Sequence, residues 1–215
     1  MIRKSGWTLV LASVVMVFIT GCAVGNKHAY QDVAVDLDTS GSSSVALATH
    51  DQRPYVVSGD KQADFVGLQR GGFGNPFNVT TLSENALAED FSNVVAAALN
   101  SKGFRPLTMS TTATESHQSV LTRLIAQDAD RLMLLTLLEW KSDTYQNTAL
   151  KYNARVQLFD GEGKLLAEKT IVGEDNLKGS VMNPPGHAKK VIPRAFEEKL
   201  GLLLNDAEIS KALQN

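Results

Sequence analysis

One run of seven residues decides the fold class of this chain: Leu132-Met133-Leu134-Leu135-Thr136-Leu137-Leu138. Only Thr136 is polar, and a continuous apolar run of this length predicts a strand that is covered on both faces. The next strand alternates, and its apolar positions are Leu150, Tyr152, Ala154, Val156 and Leu158. The turn sequence Asp160-Gly161-Glu162-Gly163 then predicts a hairpin, which residues 165–172 complete.

Three amphipathic helices are predicted around these strands. Thr81 and Glu84 have the spacing of a capping box, and Lys102-Gly103 is typical of a helix end. Between them the apolar positions recur every three or four residues: Leu87, Phe91, Val94, Val95, Ala98 and Leu99. A shorter helix is predicted from His117, Val120, Leu121, Leu124 and Ile125. The third has Val191, Ala195, Phe196, Leu200 and Leu203, with a short final helix near residues 209–213.

The other segments predict short strands and loops. Residues 45–50 and 63–69 read as strands, whereas the glycines and Asn75-Pro76 should break regular structure over 71–79, and 175–186 reads as a loop. Strands from both halves must share one core, because neither half satisfies its own edges and apolar faces. We therefore expect a single α+β domain over residues 45–215, with a mixed, mainly antiparallel sheet packed with about three helices.

The N-terminus has the pattern of a secretory signal peptide. Arg3 and Lys4 precede an apolar run over residues 7–19, which ends in small residues. This run is short for a membrane span, which needs about 20 apolar residues. Residues 1–21 are predicted to be a cleaved signal, and an uncleaved membrane anchor is the alternative.

The run Ile19-Thr20-Gly21-Cys22 resembles the lipobox of bacterial lipoproteins. That resemblance implies cleavage before Cys22, a diacylglycerol thioether on its sulfur and an acylated amino terminus. The alternative is an unmodified cysteine. Because Cys22 is the only cysteine, its lipidation would leave no thiol for a disulfide. Ala23 stands where an aspartate commonly retains such proteins at the inner membrane, so the resemblance implies the outer membrane, facing the periplasm.

Residues 22–44 are predicted to be the lipidated N-terminus and a flexible tether. The stretch ends in Thr39-Ser40-Gly41-Ser42-Ser43-Ser44, which has too little apolar content to pack. Val33, Val35 and Leu37 alternate with other residues, so a short edge strand is an option within it.

The charge balance argues against nucleic-acid binding. Loss of residues 1–21 removes Arg3 and Lys4, which leaves 19 basic against 23 acidic residues. Nucleic-acid binding depends on clustered Lys and Arg. The partners expected are the membrane, through the lipid on Cys22, and a protein or cell-wall component.

The order of elements resembles the YajG-like family of small proteobacterial lipoproteins. The residues that carry the resemblance are Asp51-Gln52-Arg53, Gly103-Phe104, Tyr152-Asn153-Ala154 and the polar tail over 209–215. The family has no established activity, so the resemblance implies a fold and an envelope location.

The glycine-rich segment over residues 70–77 is the candidate binding loop. Arg70, Phe73 and Phe77 are residue types that are enriched at interaction hot spots. A structural turn is an alternative, and so is a phosphate site, which is weakly matched because no Gly-Lys-Ser/Thr step is present.

No catalytic, metal or cofactor site is predicted. The four histidines, at 28, 50, 117 and 187, show no i, i+4 pair. Two carboxylate pairs, Asp128 with Asp130 and Glu89 with Asp90, are typical of solvated helix ends but leave open an envelope hydrolase acting on glycan or peptide. The basic residues Lys178, Lys189, Lys190 and Arg194 predict a mixed solvated face or, alternatively, contact with an anionic glycolipid. The leading hypothesis is a non-enzymatic binding or accessory module.

Overall fold

A computed structural model describes residues 26–214, which contain eight strands and five helices. The strands are β1 (Lys27–His28), β2 (Ser44–Asp51), β3 (Phe65–Arg70), β4 (Pro76–Thr81), β5 (Arg105–Met109), β6 (Arg131–Thr144), β7 (Asn147–Asp160) and β8 (Leu165–Gly179). The helices are α1 (Pro54–Val57), α2 (Leu87–Ser101), α3 (His117–Ile125), α4 (Pro184–Leu204) and α5 (Ala207–Gln214). The single α+β domain and its main helices are as predicted.

Strand β6 organises the sheet. Along one edge it pairs with β7, which pairs in turn with β8, and both pairings are antiparallel. Along its other edge β6 pairs in parallel first with β2 and then with β3. Within residues 26–214, four of the seven strand pairings are parallel, so the prediction of a mainly antiparallel sheet is wrong. The parallel strands enter through long crossovers that local periodicity does not reveal.

A buried arginine fills the place where β6 changes partner. The β2 pairing ends at Asp51 opposite Leu137, and the β3 pairing begins at Gly67 opposite Ser142. The guanidinium of Arg53 lies between them and donates to the Trp140 carbonyl at 3.3 Å. It also donates to the carbonyls of Phe65 at 2.6 Å and Ala63 at 3.1 Å, and it is paired with Asp51. Arg53 thus supplies hydrogen bonds that a continuous partner strand would otherwise give.

Helices cover both faces of the first half of β6. On one face, α2, α4 and α5 bury the main core with Met133, Leu135 and Trp140. On the other, α3 packs over Leu132 and Leu134. The prediction that this strand is covered on both faces is confirmed for these positions.

The segment over residues 26–44 corrects the predicted tether. Strand β1 pairs in parallel with β4, and Tyr30, Val35 and Leu37 are buried in the main core. Tyr30 packs edge-on against Phe196, with ring centroids 5.0 Å apart. From Asn26 onward the chain is therefore part of the domain, because its few large apolar residues dock into a core built by later elements. No strand forms over residues 33–37.

Three predicted boundaries are also corrected. Thr81 ends β4 and donates to the Asn85 carbonyl at 2.7 Å, while Glu84 has a positive φ of 65°, so they form no capping box; α2 begins at Leu87. Residues 76–81 form β4 because β3 offers them an antiparallel edge. Strand β8 continues to Gly179, through residues predicted as a loop, because β7 pairs with it over that length.

Burial of His28 in β1 makes the stability depend on pH. Desolvation, followed by the charge of Lys189, lowers the pKa of His28 from 6.5 to about 4. Below pH 6.5 the unfolded chain takes up a proton here that the folded chain resists until about pH 4, so stability falls with pH through this window. Between pH 7 and pH 4.5 we expect the wild type to lose about 2–3 kcal/mol relative to His28→Gln.

Urea unfolding of both proteins at the two pH values measures this difference. Equal pH slopes for the two proteins would contradict the prediction.

Within the part of the chain that the structure describes, no helix is long and apolar enough to cross a membrane.

Candidate binding surface

Three loops meet at one end of the sheet. The β3–β4 hairpin tip (71–75) and the β6–β7 turn (145–146) are neighbours, since Gln69 pairs with Thr144. The segment over residues 180–183 follows β8, whose Gly179 pairs with Asn147 beside the same turn. We call residues 71–75, 145–146 and 180–183 the loop end. These strand pairings bring three loops that are far apart in the sequence to one end of the sheet.

The loop end exposes large apolar side chains. Phe73 at the hairpin tip is fully exposed, and Val181 and Met182 are 87% and 93% exposed. The tip itself is held in place, because the hydroxyl of Tyr145 donates to the Gly72 carbonyl at 3.3 Å. Gly74 has a φ of 80°, a conformation that side chains other than glycine rarely adopt. Apolar side chains that are exposed together on neighbouring loops are typical of a contact surface.

The three residues of the predicted binding loop have different surroundings. Phe73 points into open solvent, whereas Phe77 is half-buried in β4. Arg70 lies along the sheet and holds Asp143 through two hydrogen bonds of 2.8 and 2.6 Å. The hypothesis that Arg70, Phe73 and Phe77 together bind a protein partner stays a prediction.

A charged groove lies next to the loop end, on the outer face of β6, β7 and β8. This cleft of about 580 Å³ is lined by Lys141, Asp143, Tyr145, Gln146, Asn147, Ala149, Lys151, Glu174, Asp175 and Asn176. Lys151 and Glu174 face each other across β7 and β8, with Nζ 3.4 Å from the carboxylate. The small side chain of Ala149 leaves room between longer neighbours. Sequence reasoning missed this groove because its lining residues come from three strands and, taken singly, read as a solvated face.

The remaining candidate groups do not converge. Asp130 accepts from the backbone and hydroxyl of Ser44, both at 2.7 Å, and so fixes the start of β2. Asp90 is buried at the start of α2, and desolvation raises its pKa to about 6, while Glu89 beside it is exposed. Within residues 26–214, no group of three or more His, Cys, Asp or Glu side chains is placed to hold a metal ion. The envelope hydrolase stays a prediction.

Two sequence-predicted features remain, the lipidation site and the basic residues. Cys22 is outside the described residues, so its lipidation stays a prediction. Lys178 is exposed beside Gly179 at the end of β8, and Lys189 and Lys190 are exposed in the second turn of α4. No acidic residue lies between Asp175 and Glu197, so the chain around the 180–183 segment is basic.

No family model and no curated protein matches this chain. Among solved structures, protein XCC0632 from Xanthomonas campestris, assigned to DUF330, has a TM-score of 0.53 at 10% identity, over 84% of this chain and 94% of that chain. Lipoprotein GNA1162 from Neisseria meningitidis has a TM-score of 0.38 at 12% identity, over 74% and 99%. The C-terminal domain of LpoB from Salmonella enterica has a TM-score of 0.31 at 12% identity, over 66% and 87%. The last two scores are too low to support an argument, and the first shows that this chain shares its fold with the Xanthomonas protein.

Proposed function

We propose that this chain is a lipoprotein of the bacterial envelope, anchored through a lipid on Cys22, that acts as a non-enzymatic accessory module and binds a protein or cell-wall partner. The observation that carries the proposal is the Ile19-Thr20-Gly21-Cys22 run after a basic and apolar N-terminus. With Ala23 next to the anchor, the outer membrane is the proposed location, with the domain facing the periplasm. The resemblance to YajG-like lipoproteins supports the same assignment.

The domain would be held close to its anchor. The carbonyl of Asn26 accepts from the Thr80 amide at 3.2 Å, and the Asn26 side chain donates to Gln69 at 3.3 Å. The fixed domain therefore begins four residues after Cys22. A module on so short a connection stays at the membrane, where a partner in the periplasm or cell wall would have to meet it.

The charged groove is the proposed partner site. It presents cations and carboxylates side by side, which suits the polar backbone and mixed charges of a protein or peptide. Complementary charges at such a surface fix the register of a partner and exclude others. Exposed pairs such as Lys151 with Glu174 contribute only about 0–1 kcal/mol to folding, so the groove can be altered without unfolding the domain.

Membrane fractionation tests the anchor. Cells expressing the full chain or Cys22→Ser are grown with a labelled fatty acid, and membranes are separated by flotation. We expect the wild type to carry the label and float with the outer membrane, and Cys22→Ser to lack the label and leave that fraction. An unlabelled wild-type chain, or a Cys22→Ser chain that floats equally, would show that the anchor is wrong.

Crosslinking in the same cells tests the groove. Lys151→Glu reverses a charge inside it, and we expect the yield of a defined crosslinked partner to fall by roughly tenfold. The matched control is Lys164→Glu, an equivalent change in the β7–β8 turn at the far end of the sheet, which should keep the partner. Equal yields from both variants would place the partner elsewhere.

A further inference from the structure

The direction of β1 points the start of the described chain toward the loop end. Strand β4 runs away from the hairpin tip, from Pro76 to Thr81, and β1 lies parallel to it, with Lys27 opposite Thr80. The chain therefore enters β1 from the side of the loop end. The anchor proposed above would therefore be connected to the domain from the side that carries the exposed apolar loops.

The length of the connection sets how far away the membrane can be. Five residue steps separate Cys22 from Lys27. A fully extended chain of this length spans about 17 Å at most. On β4, Thr80 is five residues from Asn75 at the hairpin tip, also about 17 Å along a strand. An extended connection thus allows Cys22 to lie at the level of the tip but not far beyond it, so a bilayer that holds the Cys22 lipid can meet the loop end.

The side chains at this end have the chemistry of a membrane contact. Phe73, Val181 and Met182 are exposed on projecting loops and make no apolar core of their own. Aromatic and aliphatic side chains of this kind settle at the boundary of headgroups and acyl chains. Lys178, Lys189 and Lys190 are exposed and lie within nine residues of Val181 and Met182 in the chain, while Asp143, Glu174 and Asp175 line the groove on the sheet face. Basic residues close to a membrane surface attract anionic headgroups.

We propose that the loop end rests on the bilayer that holds the Cys22 lipid, with Phe73, Val181 and Met182 inserted at its surface. This inference rests on the proposed lipid anchor. Two contacts, the lipid and the loops, fix the orientation of the domain, whereas a single flexible anchor would leave it to tumble. The charged groove on the sheet face then lies alongside the membrane and opens toward a partner.

Depth-dependent quenching tests the contact. Cys22 carries the lipid, so a cysteine introduced at Phe73→Cys or Val181→Cys is the only thiol that a fluorophore such as NBD can label. The lipidated full chain is placed in vesicles of phosphatidylethanolamine and phosphatidylglycerol, with nitroxide on the acyl chains as one quencher and aqueous iodide as another. The matched control is Glu162→Cys, an exposed position in the β7–β8 turn at the opposite end.

We expect nitroxide to quench positions 73 and 181 several-fold more than position 162, and iodide to show the reverse order. Combining Met182→Asp with the labelled Phe73→Cys variant should lower the nitroxide quenching at position 73. Combining Leu166→Asp, near the start of β8, with the same variant should not. Equal iodide quenching at all three positions in protein that floats with the vesicles would overturn the contact and leave the anchor intact. Protein that does not float would defeat the anchor itself.

A contact with protein gives a different signature. If position 73 were shielded without vesicles, and more so at higher protein concentration, the loop end would bind a second copy of the chain. If shielding in cells required a crosslinked partner, it would bind another protein. Either result would overturn the membrane contact.

Discussion

Replacing Arg53 with methionine should lower the free energy of unfolding by about 3–5 kcal/mol, the cost of breaking a buried ion pair from one side. Arg53 is fully buried, and its guanidinium meets the two oxygens of Asp51 at 2.8 and 2.6 Å. Methionine fills much of the same space but donates no hydrogen bond. Asp51 would then be a buried carboxylate without its cation, and the carbonyls that Arg53 satisfies would lose their donors.

The second partner of the pair supplies the control. Because the Asp51–Arg53 pair is itself costly to desolvate, the double variant Asp51→Leu/Arg53→Met should be less destabilised than the two single variants would predict together. Arg53→Lys keeps the charge but not the planar fork, so it should also be destabilised, by less than methionine. Urea unfolding measures all of these. A loss below about 1 kcal/mol in Arg53→Met would show that β6 changes partner without this arginine.

Phe196→Ala should cost a similar amount, about 3–5 kcal/mol, because it empties the centre of the main core. Phe196 on α4 is fully buried, and its ring lies 4.7 Å from Phe91 and 5.7 Å from Trp140, measured between centroids. The same ring packs against Tyr30 in the N-terminal segment. Its removal should therefore loosen both α4 and the segment that leads to the anchor.

Leu202→Ala is the matched control on the same helix. Leu202 is 51% exposed, so its truncation should change stability by about 0.5 kcal/mol or less. Thermal and urea unfolding compare the two variants, and limited proteolysis near Tyr30 reports on the N-terminal segment. Equal stability of the two variants would show that α4 docks without its central aromatic contact.

Local patterns predicted the elements with strong periodicity. The apolar stripe of α2, from Leu87 to Leu99, is buried as predicted because a helix shows the same face every three or four residues. The alternation over β7 was informative because successive side chains of a strand point to opposite faces of the sheet. The boundaries of the elements were less predictable. Thr81 and Glu84 have the spacing of a capping box, but Thr81 lies in β4 and Glu84 forms an ion pair with Lys27.

The candidate site shows the same division. Phe73 was singled out from sequence, and it is exposed at the hairpin tip. Its neighbours at the loop end, Val181 and Met182, were not, because they follow it by more than a hundred residues. Only the pairing of Asn147 with Gly179 brings that segment to the same end of the sheet. The charged groove could not be predicted from the sequence, because the register of three strands brings its lining residues together.

The sequence by itself determined the main helices, the buried central strand, the β7–β8 hairpin and the proposed anchor at Cys22, because each of these depends on a pattern of residues that are close together in the chain. Tertiary structure decided the parallel pairings of β6, the burial of Arg53 and the docking of residues 26–44 onto the core. Each of these depends on groups far apart in the chain, and an unpaired strand edge or buried charge is costly enough to select the partner that satisfies it. Local sequence cannot specify that partner, because the stabilising contact exists only after the chain has folded.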